Sequence, residues 1–308
     1  MGIFHCPLGV AFYDDEGCID CGLCAAETQE EMVEASKKIR AFLKANGPNP
    51  GPVKKMVVCG KGGVGKSSLT TLLAGAFLRR GYRTCVLDTD ESNPGLSRFF
   101  GFEKEPKSLI TLLSRFSAGN ASPGTEWLTG GDTLSLEDIP SEFILSHQNL
   151  KFMMVGKIKD PFQGCACSMA DITRDLMRKL DLKEKEVIVV DMEAGVESFG
   201  RGVERNVDTV LIIVEPSYES MALAGKIVYM SEGMGICRVK AILNKVPSES
   251  MREKMTAELE KRGVQVAGTV RFDPELSEAG FEGREPGEGI AREDMAAIVR
   301  ELLGETDS

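Results

Sequence analysis

A chain of 308 residues, 42% apolar and 27% charged, holds enough material for one large α/β domain plus a small appendage, or for two ordinary domains. Its formal net charge of −10 excludes a general nucleic-acid binder, since no basic surplus is available to neutralise phosphates, and is the wrong sign for an anionic membrane surface. No apolar run reaches the roughly 20 residues of a membrane span, and the start, Met1-Gly2-Ile3-Phe4-His5-Cys6-Pro7, lacks the basic and apolar stretches of a secretory signal.

A cytoplasmic chain is therefore expected, with nine cysteines that serve metal binding or redox chemistry rather than a disulfide framework. Its histidines, His5 and His147, are far apart, so a soft metal would be held mainly by sulfur. Cys18-Ile19-Asp20-Cys21-Gly22-Leu23-Cys24 sets three thiolates at C-x2-C-x2-C spacing, which on a tight loop converge on three irons of a 4Fe–4S cluster. Ala25-Ala26-Glu27-Thr28 follows where a ferredoxin run would continue to Cys-Pro. Cys6-Pro7 lies upstream, and Cys6 is the candidate fourth ligand, with zinc the alternative occupant.

A helix is predicted from about Glu30 to Ala45, with Met32, Ala35, Ile39, Phe42 and Leu43 forming one apolar face. That face needs a packing partner, for which the cysteine segment itself is a candidate. Asn46-Gly47-Pro48-Asn49-Pro50-Gly51-Pro52 reads as a helix stop and linker. The chain thus divides into a cluster segment with its helix (1–46), a linker (47–53) and a main domain (54–308).

In the main domain, strands are predicted at Met56–Cys59, Thr84–Asp88, Phe152–Val155, Val187–Asp191, Thr209–Val214, Val239–Asn244 and Gln265–Val270. Most are continuous apolar runs, as in strands covered on both faces, and helical stretches separate them. The expected fold class is α/β, with right-handed crossovers and an open, mostly parallel sheet. Ser117–Asp132, rich in Gly, Ser and Thr, is expected to be a surface loop.

Gly60-Lys61-Gly62-Gly63-Val64-Gly65-Lys66-Ser67 fits G-x-x-x-x-G-K-[ST] between a predicted strand and a predicted helix that Gly81 closes. Glycines let backbone N–H groups turn onto phosphate oxygens, and the helix N-terminus adds its dipole. Lys66 would neutralise the β- and γ-phosphates of ATP, and the Ser67 hydroxyl would ligate Mg²⁺; Ser68 completes the phosphate-binding run. Asp88-Thr89-Asp90 ends one strand, where open α/β sheets keep their ligands. Asp191 ends Val187-Ile188-Val189-Val190 in the Walker B arrangement and would hold Mg²⁺ through water. Asp191-Met192-Glu193-Ala194-Gly195 reads as a switch segment whose Gly195 N–H can sense the γ-phosphate. Cys165-Ala166-Cys167 precedes a predicted helix, Ser168–Leu180, and one such pair cannot complete a tetrahedral sulfur site. A symmetric dimer could complete it at its two-fold axis. Cys59, Cys85 and Cys237 read as core residues.

The lysine at Lys61 makes the loop resemble the deviant Walker A motif of the MinD, ParA, arsenite-pump and nitrogenase iron protein ATPases. That resemblance implies a homodimer when ATP is bound, with Lys61 reaching the partner's nucleotide. It also implies that Asp90 orients the attacking water, that Asp88 lies nearer the metal and that Asn244 reads the adenine edge. The P-loop together with Cys165-Ala166-Cys167, Asp191-Met192-Glu193-Ala194-Gly195-Val196-Glu197, Gly200-Arg201-Gly202 and Val214-Glu215-Pro216-Ser217 resembles the CooC type of ATPase, from about Lys54 onward. The CooC type implies Ni²⁺ bound by Cys165 and Cys167 and delivered to a client enzyme of the carbon monoxide dehydrogenase type. An alternative is an ATP-driven reductase similar to the nitrogenase iron protein, with Cys165 and Cys167 of two chains holding a second, bridging 4Fe–4S cluster. A positioning ATPase would need a basic amphipathic tail, which Ile298–Ser308 lacks, so neither nucleic acid nor membrane is an expected partner.

Overall fold

The computed structural model describes residues 28–46, 51–90, 95–112, 125–156, 166–195, 206–236 and 238–305, with Gly22 and Ala25. In chain order its main elements are α1 (Gln29–Asn46), β1 (Lys55–Gly60), α2 (Lys66–Arg79), β2 (Arg83–Asp88), β3 (Leu145–His147), β4 (Leu150–Met154), α3 (Ala166–Lys179), β5 (Glu186–Asp191) and β6 (Thr209–Val214). There follow α4 (Tyr218–Gly233), β7 (Arg238–Val246), α5 (Glu249–Lys261), β8 (Gln265–Arg271), α6 (Pro274–Glu282) and α7 (Ile290–Leu303).

The continuous apolar runs take the middle of the sheet, where neither face meets water. Every residue of β5 and β6 is buried. The eight-stranded order is β3-β4-β2-β5-β1-β6-β7-β8. All pairings are parallel except β3 with β4, which run antiparallel. Strand β3 has no counterpart among the predicted strands. It spans only Leu145–His147, mostly exposed, and turns into β4 through Gln148 at φ 52°. A strand that short carries no readable alternation.

Helices cover both faces, as parallel connections require. On one face Leu176 of α3, Ile227 of α4 and Leu259 of α5 pack with Val57, Val190 and Ile212 of the sheet. On the other, Leu73 and Phe77 of α2 meet Met295 and Val299 of α7 over Met56, Val189 and Ile213. Helix starts follow local chemistry. Ser217, Ser248 and Asp273 accept backbone N–H bonds from the first turns of α4, α5 and α6, and Pro274 opens α6.

Two sequence expectations change. The expected surface loop Ser117–Asp132 lies partly outside the described residues, but Glu126–Thr129 form a helical turn with Leu128 buried and Trp127 packed 5.6 Å from Phe143. The buried Lys179 ammonium donates to the Leu128 carbonyl at 2.7 Å. A tryptophan and a leucine anchor this stretch despite its polar composition. Helix α1 opens on a reciprocal capping box, Thr28 N–H to Glu31 Oε2 at 2.9 Å and Glu31 N–H to Thr28 Oγ1 at 3.2 Å. Its Ala35 and Ile39 are fully buried, and the helix lies against α4 of the main domain.

A charge in that seam would lose its water without gaining a partner. Ile39→Asp is expected to release α1 while the sheet stays folded. Hydrogen exchange would then show α1 amides losing protection and those of β1, β5 and β6 keeping it.

Candidate nucleotide-binding site

The turn between β1 and α2 has a shape that side chains would not permit. Gly60 lies at φ 144°, and a Cβ there would meet the Ile213 carbonyl at 2.6 Å. Gly65 is the N-cap of α2 in the left-handed region, φ 95°, and a Cβ there would fall 2.6 Å from Nδ2 of Asn244. Asn244, buried at the end of β7, donates Nδ2 to the Val64 carbonyl at 2.8 Å. No side chain caps the start of α2. Its first-turn N–H groups thus face the loop with the positive end of the helix dipole, which is what an anion needs. Lys66 is 7% exposed, and its ammonium reaches the Lys61 carbonyl at 3.3 Å.

Beneath the loop, the ends of β2 and β5 bring two carboxylates side by side, since Asp88 and Asp191 pair in register. Asp191 accepts from Ser67 Oγ at 2.7 Å and from Thr70 Oγ1 at 3.0 Å. Thr89 donates its N–H and its hydroxyl to the Asp191 carbonyl at 3.0 and 2.9 Å, and the Asp90 N–H bonds Asp88 Oδ1 at 3.1 Å. Burial pushes the Asp191 carboxyl up to about 7; the Asp88 charge adds to this, while the two hydroxyl bonds and Lys66 oppose it. A hydroxyl and two buried carboxylates are a hard oxygen set, and a divalent cation there would offset the cost of ionising Asp191. The residues therefore fit Mg²⁺. Among the described residues no group of three or more His, Cys, Asp or Glu side chains could hold a metal alone.

A cavity of about 760 Å³ opens over this floor, lined by Gly63, Lys66, Ser67, Asp90, Arg98 and Phe281 among others. Gly62, Gly65 and Ser68 also face it. Phe281, 93% exposed, stands at its wall from the end of α6. Gly195, φ 100°, donates its N–H to the Gly60 carbonyl at 3.2 Å, closing the strand end after β5 onto the loop. Lys61 lies on the outer side, its ammonium 3.8 Å from Glu215 and 3.9 Å from Glu219. Lys245 donates to the Gly63 carbonyl at 2.6 Å and lies 3.3 Å from Glu215.

The structure thus brings together Gly60, Lys61, Gly62, Gly63, Val64, Gly65, Lys66, Ser67, Ser68, Asp88, Asp90, Asp191, Gly195 and Asn244. Thr70, Glu215 and Lys245 join them unforeseen. Thr70 stands one helical turn beyond Ser67, a spacing that could have flagged it. Glu215 and Lys245 come from the ends of adjacent strands and carry no local signal. The cysteine sites are a different matter: Cys6, Cys18, Cys21, Cys24 and Cys165 lie outside the described residues, and Cys167 falls in the first turn of α3. Cys59 and Cys85 are buried, and burial pushes the Cys85 thiol up to about 12, as suits an inert core residue.

The Asp191 shift has a pH signature. A carboxyl near 7 when folded and 3.8 in its ordinary state binds more protons in the folded chain, so its contribution to metal-free stability falls as pH rises from 3.8 to about 7. Asp191→Asn, which never ionises, is expected to gain Tm relative to the parent as pH rises from about 5 to about 8. Added Mg²⁺ and an ATP analogue should reverse that order, because the parent, which keeps the carboxylate facing the metal, gains more from them. Thermal melts of both proteins across this range check it.

The comparisons with known proteins agree with this geometry. Residues 55–286 match the family described as the CobQ/CobB/MinD/ParA nucleotide binding domain. An uncharacterized ATP-binding protein of Methanocaldococcus jannaschii is 40% identical over 201 residues, 64% of this chain and 80% of that one. The carbon monoxide dehydrogenase accessory protein CooC of Rhodospirillum rubrum is 34% identical over 201 residues, 63% of this chain and 75% of its own. An iron-sulfur cluster carrier protein of Clostridium perfringens is 23% identical over 298 residues, 92% of this chain and 99% of its own. Among solved structures, the MinC:MinD cell division complex of Aquifex aeolicus superposes with a TM-score of 0.60 at 19% identity, covering 83% of this chain and 98% of that one. Among the described residues no helix is long and apolar enough to cross a membrane. With its phosphate loop, buried carboxylates and parallel sheet, the chain belongs to the CobQ/CobB/MinD/ParA nucleotide-binding family.

Proposed function

We propose that this protein is an ATPase that pairs two copies on binding ATP and uses the pairing to mature a metallocentre, carrying nickel on Cys165 and Cys167 to a client of the carbon monoxide dehydrogenase type. The observation that carries the reading is the likeness to CooC, which spans 75% of that accessory protein, in a chain whose sequence has a Cys-x-Cys pair, Cys165 and Cys167. Nickel is the cargo, and a sulfur-rich site suits it.

Hydrolysis follows from positioning and charge. The N–H groups at the start of α2 and the Lys66 ammonium bind the phosphates. Ser67, Asp88 and Asp191 would hold Mg²⁺, which would supply positive charge to offset that of the phosphates. Asp90, at the wall of the cavity, aligns the attacking water, and Asn244 is assigned to the adenine end. The Gly195 N–H, bonded to the Gly60 carbonyl at 3.2 Å, exchanges that acceptor for a γ-phosphate oxygen. Lys61 reaches the nucleotide of a second copy.

A second reading has its own support. The likeness to an iron-sulfur cluster carrier runs along 99% of that protein, and the Cys18, Cys21, Cys24 spacing, with Cys6 as fourth thiolate, suits a 4Fe–4S cluster. Under it, Cys165 and Cys167 of two chains hold a bridging 4Fe–4S cluster.

Metal content separates the two readings. Anaerobically purified protein dialysed against Ni²⁺ is expected to hold about one nickel per dimer, lost in Cys165→Ser/Cys167→Ser while amino-terminal iron stays. Iron of about four per chain plus about four more per dimer, the second portion lost in the variant with no nickel bound, establishes the cluster reading instead. For the ATPase itself, Asp90→Asn should lower turnover by about 100-fold or more with nucleotide affinity retained. Lys61→Ala should lower turnover while the monomer still binds nucleotide, and unchanged turnover would sink the cross-subunit role.

A further inference from the structure

Lys61 is not idle in the single chain. Its ammonium lies 3.8 Å from Glu215 and 3.9 Å from Glu219, and with its side chain 40% exposed it is held at the surface rather than in the nucleotide cavity. Glu215 is the less exposed of the two acids, 20% against 69%, and is shared with a second cation, Lys245, at 3.3 Å. Its placement is built in. The Glu215 N–H donates to Ser220 Oγ at 3.2 Å, and Ser217, the N-cap of α4, accepts from the Ser220 N–H at 3.3 Å. Lys245 adopts a left-handed backbone, φ 56°, uncommon for a residue with a side chain, and its ammonium clasps the Gly63 carbonyl of the phosphate loop at 2.6 Å.

Three elements therefore converge on one carboxylate: the phosphate loop through Lys61, the exit of β6 through Glu215 itself, and the exit of β7 through Lys245. Lys245 has a firm second partner in Gly63. Among the described residues the Lys61 ammonium has two long ion pairs, with Glu215 at the exit of β6 and Glu219 in the first turn of α4, and so is the cation able to leave.

We infer that Glu215, assisted by Glu219, is a positioning residue for Lys61: an internal counter-charge that holds this lysine on its own chain and must release it before two copies can pair across their nucleotides. The inference rests on the reading of Lys61 as a cross-subunit residue. A lysine cannot contact Glu215 and a partner's phosphates together, so each pairing exchanges one for the other, and the internal acids raise the concentration at which pairing occurs. Partly exposed ion pairs are weak, so the contact delays pairing without preventing it. A purely structural Glu215, holding the loop through Lys245, would instead alter how one chain grips nucleotide.

The test uses the full chain with Mg²⁺ and a non-hydrolysable ATP analogue. Sedimentation velocity gives the concentration for half-maximal pairing, and equilibrium titration below that concentration gives analogue affinity. Glu215→Gln is expected to lower the pairing midpoint by about two- to fivefold, a larger effect than any it has on monomer affinity. ATP turnover of this variant should rise relative to the parent at limiting protein. Glu219→Gln, which leaves Lys245 and the loop untouched, should move the midpoint the same way by less. If the parent pairs with the analogue and Lys61→Ala abolishes turnover, yet neither acid variant lowers the midpoint, the counter-charge role is overturned and the dimer reading stands. A Glu215→Gln effect confined to monomer affinity overturns it in favour of loop support. A parent chain that stays monomeric with the analogue overturns the dimer reading, and this inference with it.

Discussion

A carboxylate buried at the end of a central strand is the constraint around which the nucleotide site is arranged. Asp191 cannot ionise cheaply where it stands, and the Ser67 and Thr70 hydroxyls, at 2.7 and 3.0 Å, satisfy its oxygens without supplying a positive charge. The two hydroxyls sit one turn apart on α2, so the pair fixes the rotation of that helix relative to β5 and with it the mouth of the phosphate loop. The neighbouring Asp88 makes the shortage of positive charge worse. A divalent cation placed there would relieve both carboxylates at once.

The loop above is braced from the β7 side. Asn244 and Lys245, consecutive at that strand end, donate to the carbonyls of Val64 and Gly63. Two carbonyls are thereby turned away from the phosphates, as befits a loop that must present N–H groups to an anion. The same junction brings Glu215 to Lys61, so the support of the loop and the resting place of its outer lysine share one set of contacts.

Helix α1 lies outside the family match, which begins at residue 55, yet it buries Ala35 and Ile39 against α4. Helix α4 starts beside Glu215 and carries Glu219 in its first turn. The cysteine-bearing amino-terminal stretch is therefore followed directly by a helix seated on the element that borders Lys61.

Much of this was determined by the sequence alone, because the determinants are local. Continuous apolar runs at β1, β2, β5 and β6 can be satisfied only by burial on both faces, and the glycines of 60–65 with Lys66 and Ser67 announce a phosphate loop through backbone conformations that other residues resist. The edge strand Leu145–His147 is not legible in the sequence because three mostly exposed residues have no period, and neither is the turn at Glu126–Thr129, whose polar composition conceals its Trp127 and Leu128 anchors. The seat of α1 on α4 was open in the sequence, since an apolar face says that it must be covered and not by what. Glu215 and Lys245 became neighbours of Lys61 only when parallel pairing of β6 with β7 aligned their ends over the loop. Spacing along a chain encodes turns, caps and helical faces, whereas a meeting of residues from three strand ends depends on the strand order of the sheet, and that was decided by the tertiary fold.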